Sequence, residues 1–336
     1  MRTLRVRSGP PMTSHAQRTP GILVAGVTAL VSGVSVFVNS YGVHSFTSPA
    51  LYTTAKNLAA VVFLALAAAL GAWTRRGNST SISANFVTSE SSFEPQRGVG
   101  HWLALAYVGV IGGGLAFVLF FNGLAVSTPA SAAFWRDTMV LWVAALAVPI
   151  LREKIAWWNV VAIALLVAGQ IVVAGGVGQL AFTRGELDVL ASTVLWAIEV
   201  VIAKRLLREM SPAALALVRM GVGAVALCGY LIATGALSNL LALDAHQVWW
   251  VLLTGLLLSG YVATWMTALA RARALDVTSV LVASAAVTWL LQLVAGSVTP
   301  VTSTIGLVLI GAGAGLVIWA GATKALRPTR TRTVLG

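Results

Sequence analysis

Five ionisable side chains lie inside long apolar stretches of this 336-residue chain: Lys56, Arg136, Asp137, Glu199 and Arg219. At the centre of a bilayer each such charge costs about 2.5–3.5 kcal/mol, so that five unpaired charges would cost on the order of 12–17 kcal/mol. That cost exceeds the stability of most domains. The five must therefore pair, face water in a cavity, or both. Because three are cations and two are anions, the surplus positive charge favours an anionic or zwitterionic ligand.

Two of the cations occupy matching positions. Lys56 and Arg219 each follow a Ser-Pro-Ala sequence, seven residues after the proline, which places both about 10 Å inside their helices. We predict that they contact a carboxylate or phosphate of a ligand. A helix-anchoring salt bridge, or a long side chain that reaches the interface, is the alternative for each. Tyr52 precedes Lys56 by four residues and lies on the same helix face, where it is a further candidate for the ligand site.

Arg136 and Asp137 are adjacent, so their side chains point about 100° apart on a helix. The repeat described below sets Asp137 opposite Ser284, which begins a polar stripe along a later helix. We therefore predict that Asp137 faces the cavity and that Arg136 binds Asp137, a neighbouring helix or the substrate. Side chains in such a stripe can instead bond their own backbone.

Glu199 lies about 12 residues into its apolar stretch. A carboxylate in apolar surroundings suits reversible protonation, so Glu199 and Asp137 are the candidates for a coupling-proton site. Pairing of Glu199 with Lys204 or Arg205 is the structural alternative. Three tryptophans in the predicted cavity helices are candidates for its walls: Trp135, Trp196 and Trp265.

Composition excludes a soluble globular protein. Hydrophobic residues make up 58% of the chain and charged residues only 10%, against about 25% in soluble proteins. The net charge of +12 comes from basic residues spread between apolar runs, which is typical of a membrane protein rather than of a nucleic-acid partner. Cys228 is the sole cysteine, and the four histidines are scattered, so we expect neither a metal site nor a cofactor.

Runs of about 20 apolar residues predict an all-α membrane protein with ten transmembrane helices. With the N-terminus in the cytoplasm, 18 of the 22 lysines and arginines lie on the cytoplasmic side and only Arg184 lies outside, so both termini are predicted to be cytoplasmic. The predicted spans are Gly21–Tyr41, Pro49–Trp73, Trp102–Leu124, Pro129–Leu151, Ile155–Ala174, Leu187–Arg205, Pro212–Thr234, Val248–Ala270, Val277–Ala295 and Thr304–Ala322.

The repeated Ser-Pro-Ala sequences divide the chain into two five-helix repeats, residues 21–175 and 186–322. Because five is odd, the two copies cross the bilayer in opposite senses, as in many secondary transporters that work by alternating access. Residues 1–20 are predicted to form a disordered basic tail, and residues 323–336 a second basic tail in the cytoplasm.

Several short sequences in the first repeat resemble the EamA type of the drug/metabolite transporter superfamily. They are Phe121-Asn-Gly-Leu-Ala125, Thr128-Pro-Ala-Ser-Ala-Ala133, Pro149-Ile-Leu-Arg-Glu153 and Trp157 through Gly169. The resemblance implies ten helices in two inverted repeats, a pocket lined by helices one to four and six to nine, and peripheral helices five and ten. The family's second glutamate is replaced by Ser297-Val-Thr-Pro300, which predicts a structural role for Glu153 in the first half only.

We therefore expect a multi-pass protein of the cytoplasmic membrane, surrounded by lipid, that transports a small carboxylate-bearing metabolite such as an amino acid. Export follows from the family resemblance. The alternatives are efflux of hydrophobic cations, a lipid scramblase or flippase, and a membrane receptor or assembly factor without transport.

An enzyme is not expected, because the sequence has no phosphate-binding loop, nucleophile elbow or zinc-protease motif. The small residues of Gly311-Ala-Gly-Ala-Gly315 permit close helix contact, which leaves a homodimer open.

Overall fold

The computed structural model describes residues 15–77, 98–127, 129–153, 155, 157–173, 183–296 and 301–325. All regular secondary structure within these ranges is helical. Most of the predicted N-terminal and C-terminal tails and the substituted sequence Ser297–Pro300 lie outside the described residues. The first helix begins at His15, so the last six residues of the predicted 1–20 tail are helical.

The first half contains seven α-helices and two short irregular helices among its described residues. They are α1 (His15–Gly42), a 3₁₀ turn (Val43–Ser45), α2 (Pro49–Gly77), α3 (Val99–Ala106), a π-helical segment (Tyr107–Leu115), α4 (Ala116–Val126), α5 (Pro129–Asp137), α6 (Met139–Leu151) and α7 (Trp157–Val173).

The described residues of the second half repeat this order with fewer irregularities. They form α8 (Arg184–Leu206), α9 (Pro212–Ala233), the short α10 (Ser238–Leu241), α11 (Ala245–Arg271), α12 (Ala274–Leu281), α13 (Ser284–Val294) and α14 (Val301–Ala325). In each half the fourth crossing unit is broken near its middle, at Thr138 in the first and at Val282–Ala283 in the second.

The two Ser-Pro-Ala sequences start equivalent helices. The Oγ atoms of Ser48 and Ser211 each accept a hydrogen bond of 3.2 Å, from the backbone N–H groups of Leu51 and Ala214. A serine before a proline caps the helix, because the proline fixes the first helical φ and needs no hydrogen-bond partner for its nitrogen. This shared start sets Lys56 and Arg219 at the same depth in α2 and α9.

Within the described residues, seven helical units are long and apolar enough to cross a membrane, and two shorter apolar helices lie within α7 and α14. Helix α8 is long enough but carries Glu199, Lys204 and other charged residues, which lower its hydropathy. The structure therefore shows a multi-pass helical protein, while the count of ten spans and the orientation of the termini stay predictions.

The packing of the helices is symmetric under exchange of the halves. Helix α1 packs on α11, and its counterpart α8 packs on α4. In the same way α2 packs on α11, and its counterpart α9 packs on the π-helical segment. Helix α1 also contacts α12 and α13 as α8 contacts α5 and α6. The remaining large contacts join counterparts, α2 with α9 and α7 with α14. The first helix of each half therefore packs mainly against the other half.

Candidate substrate-binding site

A cavity of about 90 Å³ lies between the two halves. Its lining comes from α1, α2, α4, α5, α6, α8, α9, α11 and α12. The described side chains of α7 and α14 contribute no lining residue, as the family resemblance implies for the peripheral helices. The lining residues are Ser32, Ser35, Val36, Asn39, Lys56, Phe117, Phe120, Phe121, Arg136, Met139, Trp196, Glu199, Val200, Arg219, Leu258, Tyr261, Trp265 and Leu281.

Equivalent positions of the two halves face each other across this cavity. Ser35 lies seven residues before the end of α1, and Glu199 lies seven residues before the end of α8. Each half also supplies a stacked pair of aromatic rings four residues apart. The first half has Phe117 and Phe121 with centroids 6.5 Å apart, and the second has Tyr261 and Trp265 at 6.0 Å. The walls are therefore alike, and the polar groups differ.

Lys56 is 2% exposed and contacts polar and aromatic groups. Its Nζ donates a hydrogen bond of 3.0 Å to Asn39 Oδ1 and lies 3.6 Å from the centroid of the Phe121 ring. Among the residues that the structure describes, no carboxylate forms an ion pair with it. A cation over an aromatic face gains about 2 kcal/mol when desolvated, which is less than the several kcal/mol that burial of an ion costs.

Asn39 connects Lys56 to α1. Its Oδ1 also accepts a hydrogen bond of 2.6 Å from the hydroxyl of Tyr52, and its Nδ2 donates to the carbonyl of Ser35 at 2.6 Å. Tyr52 is fully buried and is not among the residues that line the cavity, so its direct contribution to the ligand site stays a prediction. Tyr52 lies one helical turn before Lys56. Its hydrogen bond positions Asn39 Oδ1, the atom that accepts the hydrogen bond from Lys56.

Unlike Lys56, Arg219 forms an ion pair with a carboxylate, that of Glu199. Its Nε donates to Glu199 Oε1, and its Nη2 donates to Glu199 Oε2 at 3.0 Å. Both side chains are at most 6% exposed. The pair satisfies two guanidinium donors and both carboxylate oxygens, which is the geometry that stabilises a buried ion pair. Lys204 and Arg205 are the alternative partners predicted for Glu199. Both instead donate hydrogen bonds to backbone carbonyl groups.

The glycines of the π-helical segment make room for this ion pair. The carbonyl of Gly112 accepts hydrogen bonds from Arg219 Nη2 at 3.2 Å and from Trp196 Nε1 at 3.0 Å. A Cβ on Gly112 would lie 2.3 Å from Glu199 Oε2, and a Cβ on Gly113 would lie 2.2 Å from the Arg219 carbonyl. Only glycine at these positions allows the segment to approach α8 and α9 so closely.

Arg136 lines the central cavity and Asp137 is not among its lining residues, so the role predicted for Asp137 at the ligand site stays a prediction. Asp137 instead lines a smaller neighbouring cavity. Arg136 Nη2 donates to Asp137 Oδ1 at 2.7 Å and to the hydroxyl of Ser284 at 2.6 Å, and its Nη1 donates to Ser32 at 3.3 Å. The guanidinium thus joins α5 to α1 and to the start of α13, while its charge is neutralised by the adjacent carboxylate.

Of the three tryptophans, Trp196 and Trp265 line the cavity and the buried Trp135 does not. Sequence reasoning missed Asn39, Phe121 and Gly112. The first two lie on the cavity face of their helices and could be found once a helix register was fixed. Gly112 begins a run of three glycines, Gly112 to Gly114, and this run is the sequence signal that could have indicated a close backbone approach.

A second polar cluster joins the halves at the end of the bundle where α6 and α11 finish. Glu153 accepts hydrogen bonds from the backbone N–H groups of Ala274 at 2.8 Å and Leu275 at 3.2 Å, which caps α12. Beside it, Arg273 Nη2 donates to Asp276 Oδ1 at 2.6 Å. Burial lowers the pKa of Arg273, but Asp276 outweighs this effect and the pKa is raised. This contact agrees with the structural role predicted for Glu153.

Comparison with known proteins agrees with this architecture. A model of the EamA-like transporter family matches residues 19–175 and 183–319, one match for each half. No curated protein matches the chain. Among solved structures 28 chains match, and one of them, described only as a crystal structure of a protein, has a TM-score of 0.64 at 19% sequence identity. The match covers 91% of this chain and 99% of the other, and it shows a shared fold.

Proposed function

Because this chain belongs to the EamA-like transporter family, we propose that its central cavity carries a small carboxylate-bearing metabolite, such as an amino acid, across the cytoplasmic membrane. The two halves would expose the cavity to each side in turn, as inverted repeats do in other secondary transporters.

The charge of the cavity carries this proposal. Arg219 is neutralised by Glu199, and Arg136 is neutralised by Asp137. Lys56 has no such partner in the described part of the chain and leaves one net positive charge beside the cavity. A ligand carboxylate near Nζ would complete the missing ion pair, and the stacked aromatic rings would contact the apolar part of the same ligand.

The two buried carboxylates are the proposed sites of proton coupling. Each holds an arginine that lines the cavity, Glu199 with Arg219 and Asp137 with Arg136. A proton on either carboxylate would weaken its ion pair and release a guanidinium toward the substrate. Proton binding and substrate binding would therefore be linked, so that transport would depend on pH; the proposed direction, export, rests on the family resemblance and not on this linkage.

The test is transport by purified protein in liposomes on a solid-supported membrane. The challenges are amino acids, organic anions and lipophilic cations, each at two pH values. We expect currents from amino acids or anions, which disappear in Lys56→Met and lose their pH dependence in Glu199→Gln. Currents from cations alone that survive Lys56→Met would contradict the proposal and favour cation efflux.

Electroneutral exchange gives no current, so uptake of radiolabelled amino acid into preloaded liposomes accompanies this measurement. If both are negative while fluorescent lipid analogues cross the bilayer, the lipid scramblase alternative replaces the proposal. Arg184→Gln serves as the matched control, because Arg184 is exposed at the start of α8 and far in sequence from the cavity residues of that helix.

A further inference from the structure

Three arginines surround an open pocket at one end of the helix bundle, separate from the central cavity. Arg205 lies in the last turn of α8, Arg208 follows that helix, and Arg152 follows α6. They line a pocket of about 660 Å³ whose other walls are Pro149, Ile150 and Leu151. Because the pocket lies where two membrane helices end, it lies at the level of the lipid headgroups.

The positive charge of this pocket is not compensated by neighbouring acids. Glu153 follows Arg152 in sequence, but its carboxylate caps α12. Glu209 follows Arg208, but its carboxylate lies 3.0 Å from His101 Nδ1. Within the described residues, no carboxylate forms an ion pair with any of the three guanidinium groups. Three positive charges therefore converge on a space that an anion can enter.

The pocket is held in shape by contacts between the halves. Arg205 Nη2 donates a hydrogen bond of 3.0 Å to the carbonyl of Ile150, which fixes the guanidinium of α8 at the end of α6. Arg152 has the left-handed conformation, with φ 55°, that ends α6 and turns the chain. The donors are thus positioned by backbone geometry as well as by side-chain length.

An apolar stripe leads away from the pocket along α6. Trp142, Ala145 and Pro149 repeat at intervals of three and four residues, lie on one face of the helix, and are exposed. A soluble anion would make no apolar contacts with this surface, whereas the acyl chain of a lipid would pack along it.

We propose that Arg152, Arg205 and Arg208 bind the phosphate of an anionic phospholipid whose acyl chain lies along this stripe. Guanidinium groups bind phosphate oxygens through paired hydrogen bonds, and basic pockets between membrane helices bind anionic headgroups. The bound lipid joins α6 of the first half to α8 of the second and so stabilises the contact between the halves.

Native mass spectrometry of the full-length protein in detergent tests the site. The probes are phosphatidylglycerol and phosphatidylcholine with the same acyl chains, and glycerol 3-phosphate as the soluble source of the same phosphate. The variants are Arg152→Gln/Arg208→Gln, which leaves the Arg205 contact with Ile150, and the control Arg184→Gln at the other end of α8. We expect phosphatidylglycerol to bind more tightly than phosphatidylcholine and to lose roughly 30-fold in affinity in the double variant only.

Each other outcome overturns the proposal. Equal binding of the two lipids would show that the headgroup charge is not recognised. A loss in Arg184→Gln, which removes one charge, equal to half of the binding free energy lost in the double variant, which removes two, would show that the effect depends on total charge rather than on this pocket. Binding of glycerol 3-phosphate as tight as that of the lipid would make the pocket a site for soluble phosphates. Circular dichroism of each variant confirms that it is folded, so that a loss of binding reports on the site.

Discussion

The two sides of the central cavity have the same framework but differ in charge: one carries a cation and the other a neutralised ion pair. On one side Lys56 lies beside Asn39 and Phe121, and no carboxylate of the described residues forms an ion pair with it. Ser35 lies as far from the end of α1 as Glu199 lies from the end of α8. On the other side Arg219 is held by both oxygens of Glu199. Helix starts, aromatic pairs and packing partners are repeated, but the acid is not.

Because of this difference, one side of the cavity stabilises the helix packing and the other side recognises the ligand. A buried ion pair with complete hydrogen bonding fixes the helices that contribute to it, and removing one partner is costly. A buried cation without a counter-charge stabilises little and is ready to bind an anion. The two repeats therefore form similar walls on the two sides of the cavity. Because Glu199 neutralises Arg219 on one side, a negative group of a ligand is directed to Lys56 on the other.

Loss of the acid should have the largest effect. Glu199→Gln leaves Arg219 buried without a counter-charge, and we expect the free energy of unfolding to fall by about 3–5 kcal/mol. Chemical unfolding in bicelles measures this change. Ser35→Ala, the matched change on the other side, should have little effect. The comparison fails if Lys56→Met destabilises the protein as much as Glu199→Gln does.

The lysine side should show the opposite behaviour. Lys56→Met removes a charged hydrogen-bond donor worth about 1.5–3 kcal/mol to a bound carboxylate, so that the Kd for an amino acid rises roughly 10- to 150-fold. Stability should stay constant or increase, because a buried charge is removed. Isothermal titration together with unfolding tests both parts. An unchanged Kd would show that the anion binds elsewhere.

A substitution in the π-helical segment tests the space for the ion pair. In Gly112→Ala the new Cβ would lie 2.3 Å from Glu199 Oε2, and we expect a loss of about 1–3 kcal/mol in stability from overpacking. Gly114→Ala is the matched control, because the nearest atom to its Cβ lies 3.4 Å away. Equal losses in the two variants would mean that helix geometry, and not contact with Glu199, requires the glycine.

The smallest effect is expected at the residue that positions Asn39. Tyr52→Phe removes one neutral hydrogen bond to Asn39 Oδ1, which contributes about 0.5–1.5 kcal/mol to stability. Thermal unfolding in detergent measures the change. Tyr41→Phe, at an exposed tyrosine of α1, should leave the midpoint unchanged. No difference between the two variants would exclude a positioning role for Tyr52.

The sequence alone predicts the helical units and the depth of Lys56 and Arg219, because apolar runs and Ser-Pro starts are local signals. It also predicts that buried charges must pair. It does not predict which charges pair, since the partners Glu199 and Arg219 lie on different helices whose rotation depends on packing. Nor does it predict that Arg136 rather than Asp137 lines the central cavity, because the break at Thr138 and the contacts of Arg136 with α1 and α13 set the rotation of that helix.

The exchange of first helices between the halves also bears on how the protein is made. Helix α1 ends at Gly42, but its main partner α11 begins at Ala245, about 200 residues later. At ribosomal speeds of roughly 5–20 residues per second, α1 waits about 10–40 s for that partner. During this time the polar face of α1 can already contact α2, through Asn39, and α5, through Ser32, but its largest contact surface lacks its partner. The first half therefore cannot complete its packing until α11 is made, whereas the partners of α8 are already present when α8 emerges.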